Sequence, residues 1–200
     1  MLAPADCPLM ATRVLVLPFL TGQAVRRLTG RPAGMPFAFN GAELEAFAGG
    51  VRAAGFDVRL LPPEPLPPES FHPGRRQYRS GPILDRARKR LGDAGDLMAK
   101  MLVITDADIY EPGLNFTGGM AELGGRVAVV SLARLQSGDR AKLVSRAVKE
   151  AVHELGHVIG LEHCRDPRCV MFQSRSLADS DIKRVAFCHK CRAVGGRAVG

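Results

Sequence analysis

Between His153 and Cys191 the chain carries two interleaved sets of metal-ligand residues, and few folds can satisfy both at once. The first is His153-Glu154-Leu155-Gly156-His157, an H-E-x-x-H. On a helix, residues i and i+4 share a face and lie about 6 Å apart along the axis, so both imidazoles can close on one ion. Glu154 is turned about 100° from His153, which puts a carboxylate beside the metal rather than on it. There it can take a proton from water held by the metal. A catalytic zinc needs a third protein ligand and an open position. Gly160 can adopt the left-handed conformation that ends a helix and turns the chain back, and His163 follows it. HELGHVIGLEH thus reads as two ligands on a helix, a glycine turn and a third ligand beyond. The competing reading is an ordinary helix with solvent-facing histidines, and the glycine and third histidine at these offsets weigh against it.

The second set holds four of the five cysteines: Cys164 and Cys169, then Cys188 and Cys191 as C-x-x-C. Two such pairs suit a closed Cys₄ zinc site. Buried free thiols or two disulfides are the alternatives; disulfides need an oxidising compartment, and no export signal is evident. His163 and Cys164 are adjacent, with Cα atoms about 3.8 Å apart, and successive side chains of an extended segment point to opposite sides. One dipeptide can feed two metal sites, so the Cys₄ zinc would brace the loop that positions the third histidine. His189 could replace a cysteine, but with four cysteines it is not needed.

H-E-x-x-H-x-x-G-x-x-H followed by a methionine is the metzincin signature. The adjacent His163-Cys164, the C-x₄-C-x-M and the late C-x-x-C resemble the archaemetzincin family, as do Thr105-Asp106-Ala107-Asp108-Ile109-Tyr110 and Leu114-Asn115-Phe116 upstream. The resemblance implies His153, His157 and His163 on a catalytic zinc, Glu154 as the base and Met171 as the Met-turn residue beneath the metal. It puts Cys164, Cys169, Cys188 and Cys191 on a second zinc. It also implies a cleft-side edge strand to which an extended peptide can add. Two departures stand out: sixteen residues separate Met171 from Cys188, one fewer than the family pattern, and Thr117-Gly118 replace bulkier residues. Some metzincins add a Tyr ligand after the Met-turn; here Phe172 and Gln173 follow Met171, so three histidines plus water are expected.

Two hundred residues suit one compact domain, and 46% apolar content is ordinary for a globular core. No apolar run reaches membrane-spanning length. Val14-Leu15-Val16-Leu17-Pro18-Phe19-Leu20 lacks a basic leader and a cleavage site, so a cytoplasmic, monomeric protein is expected. The net charge is +8, with basic residues clustered from Arg75 to Arg90 and from Lys183 to Arg192. An anionic or nucleic-acid partner is the functional reading. No aromatic platform accompanies these runs, and a solvated, arginine-rich surface is preferred. Cys7 could cap the catalytic zinc, but an exposed spare thiol is the simpler account. His72, alone in a loop, reads as solvated.

Arg13 to Phe19 reads as a strand after a loose tail. Asn40 caps a helix over Ala42–Ala54 ended by Gly55, and Phe56 to Leu61 is a second strand, parallel to the first. Pro62 to Pro68 is a stiff extended connector. A helix runs from Ser80 or Pro82 to about Leu91, and Met101 to Thr105 is a buried strand. Asp106 and Asp108 read as a polar strand end rather than a metal site. Pro112-Gly113 turns into an edge strand at Leu114 to Phe116, and Arg126 to Leu132 is another strand. Asp139 opens the ligand helix to about Ile159; Asp179 or Asp181 caps a short helix carrying Ile182, Val185 and Phe187; Ala193 to Gly200 frays.

The expectation is therefore a single α/β (α+β mixed) domain with a zincin-like fold. It has a twisted, mostly parallel sheet with one antiparallel edge strand, a backing helix and an active-site helix. Residues 1–160 form an upper subdomain, and 161–200 a small zinc-braced lower one. The function expected is zinc-dependent hydrolysis of peptide or protein substrates, with two Zn²⁺ per chain and no membrane. The alternatives are a zinc-stabilised binding module that does not need Glu154, and a basic nucleic-acid binder with steep salt dependence.

Overall fold

The computed structural model of the protein describes residues 12–21 and 39–198. The N-terminal tail and Cys7 lie outside the described residues.

Strand β1 (Arg13–Leu20) is the centre of the architecture. Val14, Leu15, Val16, Leu17 and Phe19 are all buried, as a strand covered on both faces requires. Helix α1 (Gly41–Ala53) follows, started by a capping box in which Asn40 and Glu43 bond each other's backbone N–H. Gly55, at φ +106°, turns the chain into β2 (Asp57–Leu60), which pairs parallel with β1. The proline-rich connector adds a two-residue strand β3 (Glu64–Pro65) further along the same edge of β1. Short strands β4 (Phe71–His72) and β5 (Gln77–Arg79) lead to helix α2 (Ser80–Asp93). Then come β6 (Lys100–Thr105), β7 (Ile109–Tyr110), β8 (Gly119–Ala121) and β9 (Val127–Ser131). The main sheet runs β2-β1-β6-β9-β8, parallel except for the antiparallel β8–β9 pair at its end. β4, β5 and β7 form a separate three-stranded sheet.

The side-chain alternation of β1, β6 and β9 divides the core by face. Val14, Val16, Leu102, Ile104, Ala128 and Val130 meet α1 and the long helix α3 (Arg140–Val158). Leu15, Leu17, Met101, Val103, Val127 and Val129 meet α2 through Ile83, Leu84, Ala87 and Leu91. Phe47 of α1 is fully buried, which contributes about 1.5–3 kcal/mol. α1 and α3 approach closely because Gly50 has no Cβ: one there would lie 2.7 Å from Val148 Cγ2. No helix among the described residues is long and apolar enough to cross a membrane.

Three expectations need correction. Leu114 to Phe116 is not a strand; Arg75 Nη2 donates to the carbonyls of Leu114 and Asn115, which holds this stretch as a loop beside the small sheet. The edge strand is Gly119–Ala121, whose glycine and short length hide it from pattern reading. The helix after the cysteine loop, α4 (Leu177–Ile182), is capped by Ser176, with Asp179 as its reciprocal partner, and stops before Val185 and Phe187. Finally, the C-terminal stretch does not fray at Ala193: His189–Ala198 is a helix, α5. Cys188 and Cys191 anchor its start, and Gly195 packs close to Ile159 and Leu161. Asp106 and Asp108 bond protein groups, Thr21 in the first case and Gln77 and Arg134 in the second.

Candidate active site

α3 is capped by Asp139, which accepts from the Lys142 N–H, and its apolar face (Leu143, Ala147, Ala151, Val152, Leu155, Val158) is buried against the sheet. That fixes its rotation and brings His153 and His157 to the cleft. The helix ends at a Schellman turn: the Gly160 N–H bonds the His157 carbonyl and the Leu161 N–H bonds the Gly156 carbonyl, each at 2.9 Å. Gly160 sits at φ +88°, the left-handed conformation this turn needs. The chain then doubles back and delivers His163.

The three imidazoles converge, with ring centroids 4.7, 4.8 and 5.2 Å apart and one nitrogen from each within 4.8 Å of the others. His153 Nδ1 bonds the Val170 carbonyl at 2.8 Å, and His157 Nδ1 bonds the Leu161 carbonyl at 2.7 Å. A carbonyl only accepts, so both Nδ1 atoms carry the proton and both Nε2 atoms present lone pairs. These Nε2 atoms lie 3.2 Å apart. Zn–N bonds of about 2.0–2.1 Å at a tetrahedral centre put ligand nitrogens about 3.3–3.4 Å apart, so the donor set fits zinc. Burial and the Lys183 charge push His153 down to about 3, and burial lowers His157 and His163 too. A neutral imidazole is the metal-binding form.

Glu154 is buried beside these rings, and burial together with Glu150 pushes its carboxyl up to about 8. Its side chain lies over Gly119 of β8: a Cβ there would sit 2.5 Å from Glu154 Oε1. Met171 is fully buried and packs against Gly156, on the same helix between the two histidines.

The four cysteines form the second cluster. The Cys164 and Cys188 sulfurs are 3.8 Å apart, and those of Cys169 and Cys191 are 3.7 Å apart. Four Zn–S bonds of about 2.3 Å at tetrahedral angles give a sulfur spacing of about 3.8 Å. All four are free thiols, and all four ligand atoms lie within 4.8 Å of one another. Burial pushes Cys188 up, but the Cys191 N–H and the neighbouring sulfurs outweigh it and bring its thiol down to about 7. His189 is exposed and outside this cluster. Tyr78 and Tyr110 belong to the small sheet and do not line the cleft.

The cleft measures about 1060 Å³. It is lined by Phe116 and residues 117–121 around β8, by Glu150, His153, Glu154 and His157 of α3, by His163, and by residues 173–177. Sequence reasoning missed Gly119, Glu150 and Lys183. Glu150 had one signal, its position a helical turn before Glu154. Lys183 had none, since it opens a basic run that reads as solvated yet is itself buried.

Residues 83–194 match the family model described as Peptidase family M54. The archaemetzincin of Pyrococcus abyssi is 45% identical over 149 residues, covering 68% of this chain and 76% of that protein. The crystal structure of archaemetzincin from Methanopyrus kandleri superposes with a TM-score of 0.75 at 31% identity, covering 98% of each chain. The archaemetzincin structure from Archaeoglobus fulgidus gives 0.73 at 33% identity, covering 92% of this chain and 99% of that one.

Proposed function

The chain belongs to peptidase family M54, the archaemetzincins, and is thereby a zinc metalloprotease; from that premise we propose that His153, His157 and His163 hold its catalytic zinc and that Glu154 is its proton-transfer residue. The carrying observation is the convergence of three imidazoles, two of them presenting Nε2, on a cleft that also contains one buried carboxyl group just off the ligand set. Zinc held by His153, His157 and His163 would supply a Lewis acid able to acidify a water and polarise a substrate carbonyl. Burial on its own favours the protonated form of Glu154, and a cation held by the histidines would favour the ionised form, whose carboxylate oxygen can accept a proton from a water beside it. Glu154 then gives the proton to the amine leaving group.

Substrate binding follows from the walls. We read β8, at the end of the main sheet, as the strand to which an extended peptide adds by backbone hydrogen bonds. Phe116, Leu123 and Leu177 are exposed apolar side chains at the cleft and suit the substrate's flanking residues. The sulfur spacing supports a second, structural zinc on Cys164, Cys169, Cys188 and Cys191, hence two ions per chain. Four free thiols also suit a reducing compartment such as the cytoplasm. The division at about residue 160 follows the Gly160 turn, with the helix and sheet before it and the cysteine-braced part after it.

The test is cleavage of a mixed peptide library by the zinc-loaded protein and by Glu154→Gln, read by mass spectrometry. Cleavage by the wild type alone supports the assignment. Equal cleavage by both removes Glu154 from the mechanism.

A further inference from the structure

Lys183 is the most deeply buried cationic side chain near the cleft: its side chain is 0% exposed. A buried ammonium is retained only where it is paired and hydrogen-bonded. Its Nζ donates to Glu150 Oε1 and to the Phe172 carbonyl, each at 3.3 Å. Glu150 lies one helical turn before Glu154 on α3 and faces the cleft, and it also accepts from Ser180 Oγ. Phe172 directly follows Met171. One ammonium thus joins three pieces of chain: the metal-binding helix, the exit of the Met-turn and the end of α4, where the Lys183 N–H bonds the Asp179 carbonyl.

The Phe172 end of this tie leads back to the ligands. The Phe172 N–H bonds the Cys169 carbonyl, and two residues before Phe172 the Val170 carbonyl holds His153 Nδ1. Lys183 is also close enough for its charge to act on His153, Glu154 and His163. We propose that Lys183 is a positioning residue of the peptidase centre, fixing the Met-turn against α3 through Glu150 and the Phe172 carbonyl so that His153 keeps its aim at the metal. This rests on the reading that the three histidines hold zinc.

The test uses the full chain with zinc at both sites. The key variant is Lys183→Met/Glu150→Met, which removes both charges together. The net charge near the histidines is unchanged and no carboxylate is left unpaired, so the fold is expected to survive; the Ser180 Oγ bond to Glu150 is lost with the tie, and Ser180→Ala alone controls for it. Zinc affinity of the histidine site is read by chelator competition while the cysteine site stays loaded. Affinity is expected to fall about 10- to 100-fold, as for other groups that hold a ligand in place. On a cleaved peptide, kcat should fall with KM nearly unchanged and the melting temperature close to wild type. Wild-type zinc affinity and kcat in the double variant overturn the proposal. Should that variant not fold, Lys183→Arg decides: it keeps the charge but displaces the Phe172 carbonyl by its longer reach, so kcat should drop, and an unchanged kcat overturns the tie. A wild-type protein that holds no zinc at the histidines refutes the functional reading instead, and Glu154→Gln run in parallel tests the base without involving Lys183.

Discussion

Gly119 to Ala is the smallest change that reaches the chemistry without touching a proposed ligand. A Cβ at Gly119 would lie 2.5 Å from Glu154 Oε1 and 2.8 Å from both Cδ and Cγ. Ordinary contacts of this kind are about 3.5–4.0 Å, so three atoms of one side chain are overlapped by roughly 1 Å. Two reliefs are open. Glu154 can leave its rotamer, at about 0.5–1.5 kcal/mol, or β8 can shift outward, at about 1–3 kcal/mol as in other overpacked cores. Both move the carboxylate relative to the water it is proposed to deprotonate, or the strand relative to the peptide it is proposed to hold. A displacement near 1 Å costs on the order of 10²-fold in rate. The histidine ring nitrogens are held by the Val170 and Leu161 carbonyls, which the new methyl does not meet. The expected result is therefore kcat down about 100-fold with zinc content and fold unchanged. The assay pairs peptide cleavage with metal analysis, and Gly49→Ala, where nothing lies within 4 Å, controls for the loss of a glycine. A Gly119→Ala enzyme with wild-type kcat would show that the carboxylate tolerates the strand at any distance, and the contact would then carry no functional weight.

Two further outcomes follow from the same geometry. Cys169→Ser should lose the cysteine-site zinc and lower kcat by about 10-fold or more, because the loop it braces carries the Val170 carbonyl that aims His153; full retention of histidine-site zinc and kcat, read by metal analysis and cleavage, would separate the two clusters. In the metal-free protein His153 titrates at about 3 against an ordinary 6.5, chiefly from burial. The unfolded chain takes up the proton first as pH falls, so this contribution is fully present above 6.5 and is lost toward 3. From pH 7 to pH 5 it should remove about 2 kcal/mol; because the raised Glu154 carboxyl gains stability over the same window, the loss is read as a lower urea midpoint in metal-free Glu154→Gln, where a pH-independent midpoint would refute the neutral buried assignment.

How much of this was readable in the chain depends on what kind of pattern each part leaves. Strands β1, β6 and β9 are covered on both faces, so their sequences are continuous apolar runs. The α1 capping box and the α3 apolar stripe leave equally local marks. The edge strand left none: Gly119-Met120-Ala121 owes its place to β9 beside it, not to its own composition. The small sheet is assembled from two- and three-residue strands that Arg75 and Gln77 tie to the Leu114–Asn115 backbone, a contact nearly forty residues long in sequence. Helix α5 was misread because Gly195 and Gly196 lower its propensity, whereas docking on Ile159 and Leu161 supplies what propensity lacks.

The site was more legible than the fold because its proposed ligands must sit at fixed spacing on one helix, one turn and one loop. What spacing does not carry is the apparatus that aims them. Val170, Leu161 and Phe172 act through backbone carbonyls, so their identity in the sequence is silent about their role. Lys183 acts through a buried pair whose members are thirty-three residues apart. These groups converge on the segment from Cys164 to Phe172, where the Cys164 N–H bonds the Met171 carbonyl and the Val170 N–H bonds that of Ala186. The cysteine cluster closes this segment from one side and the Lys183–Glu150 pair ties it from the other. Leu161, Val170, Met171 and Phe187 pack this stretch into the main core, and the polar ties add the register that apolar packing does not set for the proposed ligands His153 and His163.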